Sequence, residues 1–364
     1  MRRLPGILLL TVATLIVIVA LLVSGLRLVL PQLDAWRPQL LEKISALTGT
    51  PVDASQIAAS WQTFGPTLDV RDIHVGLKDG GTMAVKRVTL ALDVWQSLLH
   101  MRWQFRDLTF WQLQVHTNTP IQTNDGGESL KTDRISDLFL RQFDHFTLRD
   151  SHLSFLTISG QRAELAVPQL TWLNGRNRHR AEGQLSLSSL TGQHGVMQVR
   201  MDLRDEDGLL NKGRVWLQAD DIDVKPWLGR WMQDNIALKS ARFSLEGWMT
   251  IEKGDVASGD VWLKKGGASW QGDNEVHHLS VDNLTAHLSH DKQSWAFYIP
   301  DTRIAIDDKP WPSGALAMAW IPAQDVGGDD RQRSDELRIR ASNLALSGLS
   351  GLQPFADKLA PSLG

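Results

Sequence analysis

The chain has 364 residues, 42% of them hydrophobic and 22% charged, with a formal net charge of -3. That is an ordinary globular composition, and its net charge argues against wholesale nucleic-acid binding, which favours a strongly basic face. The absence of cysteine rules out disulfides, thiolate metal sites and cysteine nucleophiles. There are 15 tryptophans and one tyrosine; most tryptophans fall in strand-like contexts and are expected in the core, although indole also favours membrane interfaces.

An uncharged apolar run extends from Ile7 to Leu26, entered through Arg2 and Arg3 and left through Arg27. At 1.5 Å per residue, about twenty helical residues cover the roughly 30 Å hydrocarbon core of a bilayer. Residues 7–26 are therefore read as an uncleaved transmembrane anchor, with 1–6 in the cytoplasm and the body exported. A cleaved signal is the other reading, with Val23 and Gly25 near the cut, but its apolar core would be shorter. Pro31 ends or bends that helix. An amphipathic helix is predicted over 31–48, where Leu33, Trp36, Leu40, Ile44 and Leu47 recur at spacings of three and four. Pro38 suits its first turn, and Gly49 with Pro51 stops it. Such a helix could lie on a membrane surface or plug the open end of a sheet.

From Val52 the hydrophobic period changes to two. Val88, Leu90 and Leu92 alternate with polar or small residues, as do Met197, Val199, Met201 and Leu203, then Phe243, Leu245 and Met249, then Leu337 and Ile339. These are amphipathic strands, separated by turn clusters such as Lys78-Asp79-Gly80-Gly81 and Asp205-Glu206-Asp207-Gly208. Residues 52–364 are accordingly predicted to be mainly β and antiparallel. A polar residue followed by alternating apolar ones recurs at Asp72, Asp107, Asp150, Asp221, Asn283 and Asn343. The irregular spacing fits hairpins added to a growing sheet rather than a strict solenoid. Short helices are expected near Asp93–Trp103, Ile135–Phe143 and Lys225–Gln233, and flexible loops at Asn118–Lys131 and Asp325–Ser334.

No nucleotide-binding signature is present. Gly348-Leu349-Ser350-Gly351 falls one residue short of a nucleophile elbow and reads as chance. His277, His278, His287 and His290 lie close together in the sequence, but no carboxylate stands at a recognisable ligand spacing. Arg176, Arg178, His179 and Arg180 follow the hairpin signal Asn174-Gly175 and read as a solvated turn, with anionic lipid headgroups as an alternative partner. No acid and base pair stands out, so neither catalysis nor a cofactor or metal is expected. The apolar strand faces can be buried in a dry sandwich. Alternatively, one curved sheet can keep a trough open for a ligand with apolar tails. A transmembrane β-barrel is a poor third, because such barrels do not normally carry a helical anchor.

The segments MRRLPGILLL, LTGTPVDASQIAASWQTFGPTLDVRDIHV, VKRVTLALDVWQSLLHMRWQFRDLTFWQLQV and SLTGQHGVMQVRMDLRD closely resemble the N-terminal part of a member of the AsmA-like family of Gram-negative bacteria. The likeness runs from Met1 to the end. It implies an inner-membrane anchor and a periplasmic body. It also implies an elongated, curved antiparallel β-sheet whose groove carries phospholipids toward the outer membrane and maintains that membrane's permeability barrier. Phospholipids and the inner membrane would be its partners, with inner-membrane lipid-supplying proteins as candidates and no nucleic acid. Catalytic residues are not part of the family pattern. On this reading the residues facing the groove would be Val88, Leu90, Leu92, Met197, Val199, Met201, Leu203, Phe243, Leu245, Met249, Leu337 and Ile339. Because members are much longer, the chain, ending at Leu363-Gly364, reads as an anchored portion incomplete at its C-terminus. The alternatives are a periplasmic scaffold that assists outer-membrane protein assembly around a dry core, and, more distantly, an anchored hydrolase.

Overall fold

The computed structural model describes residues 17, 20, 21, 23–62, 65–76, 81–101, 104–120, 138–156, 162–188, 195–206, 209–225, 237–272, 275–291, 294–321 and 336–343. Most of the 7–26 run lies outside them. So do the expected loops from 121 to 131 and from 325 to 334, the expected helix beyond Lys225, and Gly348–Gly351. The described residues are mainly β, with 18 strands and few helices. Val17, Ala20, Leu21 and 23–29 are helical, but among the described residues no helix is long and apolar enough to cross a membrane. The chain divides into two compact units, Met1–Val115 with Thr132–Ser151, and His116–Lys131 with His152–Gly364.

In the first unit a 3₁₀ turn, Leu30–Trp36, leads into α1, Arg37–Thr48. Proline is tolerated in the first turn of each because the lost N–H has no intrahelical acceptor there. Gly49, at φ 72, ends α1 in the left-handed conformation that glycine adopts without Cβ strain, and its N–H bonds Ser45 O at 2.9 Å. Asp34 Oδ1 accepts from Ile57 N at 2.9 Å, and Ser45 Oγ from Val52 N at 2.9 Å, so this helical segment is tied to the sheet at both ends. The strands are β1 (Val52–Asp53), β2 (Gln56–Gln62), β3 (Gly65–Gly76) and β4 (Thr82–Leu92), with β1, β2 and β4 all antiparallel to β3. The short helix α2 (Val94–His100) separates β4 from β5 (Phe105–Pro120), and a π-helical turn, Leu138–Gln142, precedes β6 (His145–Leu156). Phe139 of that turn and Phe143 just after it pack against rings of the strands. Phe139 meets Phe146 edge-on at 5.2 Å and Phe143 meets Phe105 at 5.4 Å, beside buried Leu108, Phe110 and Leu148.

The second unit holds β7 (Arg162–Asn174), β8 (Arg178–Ser188), β9 (Gly195–Arg204), β10 (Lys212–Asp223), β11 (Leu238–Glu252), β12 (Asp255–Gln271) and β13 (Val276–Asp291). After these come β14 (Ser294–Ile299), β15 (Ile304–Ile306), β16 (Lys309–Pro310), β17 (Leu316–Ile321) and β18 (Glu336–Ala341). Each strand from β7 to β13 pairs antiparallel with its successor, and the ladder continues from β14 to β17 to β18. β15 also pairs with β13, and β16 with β15.

The recurring Asp/Asn signal has a backbone meaning. Asp72, Asp150, Asp221 and Asn283 all have left-handed φ (49°, 49°, 53° and 58°), which short polar side chains tolerate better than apolar ones. A residue in that conformation within a strand interrupts the two-residue alternation, so apolar residues three apart return to one side. Ala219 and Ile222 flank Asp221, and Val281 and Leu284 flank Asn283; all four are buried. In β5 the left-handed residue is Gln112 rather than Asp107, between buried Phe110 and Leu113. Asn343 lies just beyond β18 and instead bonds Ser313 O.

The expectation that tryptophans fill the core is corrected. Trp270 is fully buried, but Trp36, Trp95, Trp248, Trp262 and Trp320 are exposed. Alternation assigns a residue to a face and does not show whether anything covers that face.

Candidate functional site

Strand register in the second unit builds one continuous uncharged row. Trp172 of β7 stands beside Ala181, then Met201, Val215, Met249, Gly259, Leu288, Phe297, Met318 and Ile339 of β18. A parallel row on the same face runs Leu170, Gly183, Val199, Leu217, Gly247, Val261 and Ala286. Ten strands at about 4.8 Å make the first row about 43 Å long. No ionisable side chain interrupts either row.

Cover over this face is uneven. At one end Met197, Ala219 and Ile222 form a dry cluster with Leu165, Leu185, Leu217, Val224 and Leu245 against it. Towards β18 the face opens: Phe297 is 41% exposed, Trp320 39% and Ile339 56%. His290 stacks on Trp295 with centroids 4.1 Å apart, adding a flat aromatic edge there.

The opposite face is charged and cross-linked. Glu182 pairs with Arg200 at 2.9 Å, whose guanidinium lies over Trp216 at 5.1 Å. Trp216 Nε1 donates to Glu246, which also takes Lys264 at 3.0 Å; Lys264 in turn lies 5.1 Å from the Trp262 ring. Those two hydrogen bonds, Lys264 first, hold the Glu246 carboxyl below its ordinary pKa. Arg178 does the same for Asp202 through a bond from its Nε at 2.7 Å. A depression of about 670 Å³ between β7, β8 and β9 is lined partly by Gln169, Thr171, Glu182, Gln184, Gln198 and Arg200.

The residues singled out from the sequence are distributed as follows. Met197 and Leu203 are buried, and Val199, Met201, Phe243, Leu245 and Met249 are half-buried. Ile339 is exposed, and Leu337 lies opposite Trp320. Register aligns Met197 and Leu245 through Ala219, Met201 and Met249 through Val215, and Phe243 with Ile222. Val88, Leu90 and Leu92 are half-buried on β4 of the first unit, where Val88 pairs Val70 and Leu90 pairs Leu68. Sequence reasoning missed Trp172, Val215, Leu288, Phe297 and Met318. Phe297 and Met318 lie in six-residue strands, and all five join the row only through their partner strands.

The histidines go to separate partners. His277 Nδ1 lies 2.8 Å from Asp307, His287 Nδ1 lies 2.5 Å from Asp260, and His290 stacks on Trp295. Among the described residues no three His, Cys, Asp or Glu converge on a metal position. The reading of 176–180 as a solvated turn is corrected at His179, which is only 2% exposed. Its Nδ1 lies 2.7 Å from Asn174 Oδ1 and its Nε2 3.2 Å from Asp205. Asn174 Oδ1 also accepts from Trp172 Nε1, a group that can only donate, so His179 Nδ1 carries a proton.

This fold and site define a mainly β protein whose second unit presents a long uncharged row on one face of its antiparallel strands and charged residues on the other. The chain belongs to the YhdP family, whose model, described as YhdP protein, matches residues 1–364. It is 73% identical over 364 residues to the intermembrane phospholipid transporter YhdP of Escherichia coli (strain K12), an alignment covering 100% of this chain and 29% of that relative. No solved structure matches it.

Proposed function

We propose that this chain is the membrane-anchored segment of a phospholipid conduit, in which acyl chains lie along the uncharged face of an elongated, curved sheet while headgroups stay wet at its margin. The run 7–26 would hold the segment in the inner membrane, with the N-terminus cytoplasmic, the body in the periplasm and the outer membrane as destination. The carrying observation is the uninterrupted row from Trp172 to Ile339, uncharged throughout and open towards β18. The name of the E. coli relative supports the same ligand class. A phospholipid leaving its bilayer exposes two acyl chains at about 0.8 kcal/mol per methylene, a barrier of tens of kcal/mol in water. A continuous apolar surface removes most of that barrier without a reacting group, so the role is conduction rather than catalysis. Transport itself belongs to the complete protein, of which this chain matches the first part.

Native mass spectrometry of the complete protein, extracted in mild detergent, tests this reading. Bound diacyl phospholipid, reduced when Phe297 and Met318 are both changed to Asp, is expected. Protein that carries no lipid, or carries it equally in the double variant, would refute the proposal.

A further inference from the structure

The helix α2, Val94–His100, is amphipathic in the wrong sense for a helix packed on a core. Its polar side chains bond the protein. Asp93 caps the helix through Gln96 N at 3.0 Å, and Ser97 Oγ bonds Asp93 O at 2.6 Å and receives Gln104 N at 2.9 Å. Asp93 N completes the clasp on Gln104 O at 2.8 Å. The apolar side chains face outward: Trp95 is 61% exposed, Leu98 65%, Leu99 76% and Met101 87%. Single exposed hydrophobics are normal, but four neighbours held on one rigid turn form a patch, and patches mark interaction sites.

We infer that this turn is a second membrane contact, lying in the headgroup and acyl boundary of an anionic phospholipid bilayer. Three observations select a lipid surface as the occupant. The composition, a tryptophan with long, flexible apolar side chains, is that of interfacial segments, which sit about 5–10 Å into that boundary. Arg102, which follows the helix in the sequence, suits anionic headgroups. The third is position. Asp34 is bonded beside Ile57 and Ser45 beside Val52, and the 3₁₀ turn packs along β2. Followed backwards, the helical segment therefore points to the Gln62 end of β2, where β4 ends and α2 begins. The chain leading back to the apolar run Ile7–Leu26 thus leaves the sheet from the α2 end. The inference rests on the proposed bilayer attachment but not on lipid passage along the second unit.

Residues 1–364 contain no cysteine, and any cysteine in the rest of the complete protein is first replaced by serine. Leu99→Cys and, as a control at the opposite end of β4, about 33 Å along the strand from its α2 end, Thr82→Cys are labelled with the polarity-sensitive dye NBD in the complete protein. The protein is reconstituted in phosphatidylethanolamine and phosphatidylglycerol vesicles. Dye at 99 is expected to shift to the blue, to be quenched several-fold by lipids spin-labelled near the headgroup, and to be shielded from aqueous iodide; dye at 82 should show the reverse. Equal iodide quenching at both positions overturns the inference. A blue-shifted dye at 99 that lipid quenchers do not reach also overturns it, because protein then covers the patch. Co-flotation of labelled protein with vesicles reports the anchor separately, and loss of flotation overturns both the inference and the attachment it rests on. Lipid counting by mass spectrometry is unaffected by α2 and reports the conduit.

Discussion

Met249→Asp places one carboxylate in the middle of the uncharged row. Met249 is half-buried between Val215 of β10 and Gly259 of β12. An Asp there can turn its carboxylate to water, so the fold should lose only about 1–2 kcal/mol. The effect on a passing acyl chain is larger. About four methylenes overlie a single strand at the 4.8 Å strand spacing. Deprived of apolar contact, they cost about 3 kcal/mol at 0.8 kcal/mol each. Delivery through that point should slow by about two orders of magnitude. The assay follows an isotopically labelled phospholipid from inner to outer membrane in cells that depend on the complete protein, with melting measured in parallel. Met249→Leu should transport normally. So should Thr250→Asp, which puts the same charge on the opposite face beside Arg214 and Ser258. If a folded Met249→Asp protein transports at the wild-type rate, the row does not carry acyl chains.

Other outcomes follow from the same geometry. Asp221→Val should cost about 1–2 kcal/mol, because a β-branched residue is forced to φ 53°, while Asp221→Gly should not; thermal melting distinguishes them. His179→Ala should destabilise the β7–β8 hairpin by about 1–3 kcal/mol, since the Asp205 carboxylate loses a buried partner, and hydrogen exchange at the flanking amides should rise. Stability should fall at both ends of the pH range. Asp202 and Glu246 have folded pKa values lowered by Arg178 and Lys264, so their contribution is full above the unfolded value near 4 and is lost as pH falls through the folded one. The His145 pKa is raised by its hydrogen bond with Asp144, so its contribution is full below about pH 6.5 and is lost as pH rises through the folded value. His145→Gln should flatten the alkaline limb of a urea-midpoint profile and leave the acid limb unchanged. An unaltered alkaline limb would contradict the assignment.

Strand identity was legible because each strand alternates by itself: Met197, Val199, Met201 and Leu203 read as one face without knowledge of their neighbours. The continuous row was not legible, because it depends on register. Phe297 and Met318 sit in short strands whose flanking residues Ala296, Ala317 and Ala319 blur the alternation, and only pairing with Leu288 and Ile339 aligns them. The Asp/Asn echo was visible as a pattern, but its cause, a left-handed residue that resets the alternation, is a backbone property. Asp107 shows the limit of the pattern, since β5 uses Gln112 instead. The α2 patch was hidden for a related reason: the expected short helix near Asp93–Trp103 carries no sign of which side meets the sheet. That is decided by the Asp93–Ser97–Gln104 clasp.

The most direct test of the conduit is a residue-by-residue scan of photo-crosslinkers along β11 and β14 in the complete protein in cells with radiolabelled phosphate lipids. Phospholipid capture should alternate with period two, strong at Gly247, Met249, Ile251, Trp295 and Phe297 and weak at Trp248, Thr250, Ala296 and Tyr298. Capture that ignores the strand period, or that favours the charged face, would contradict the account.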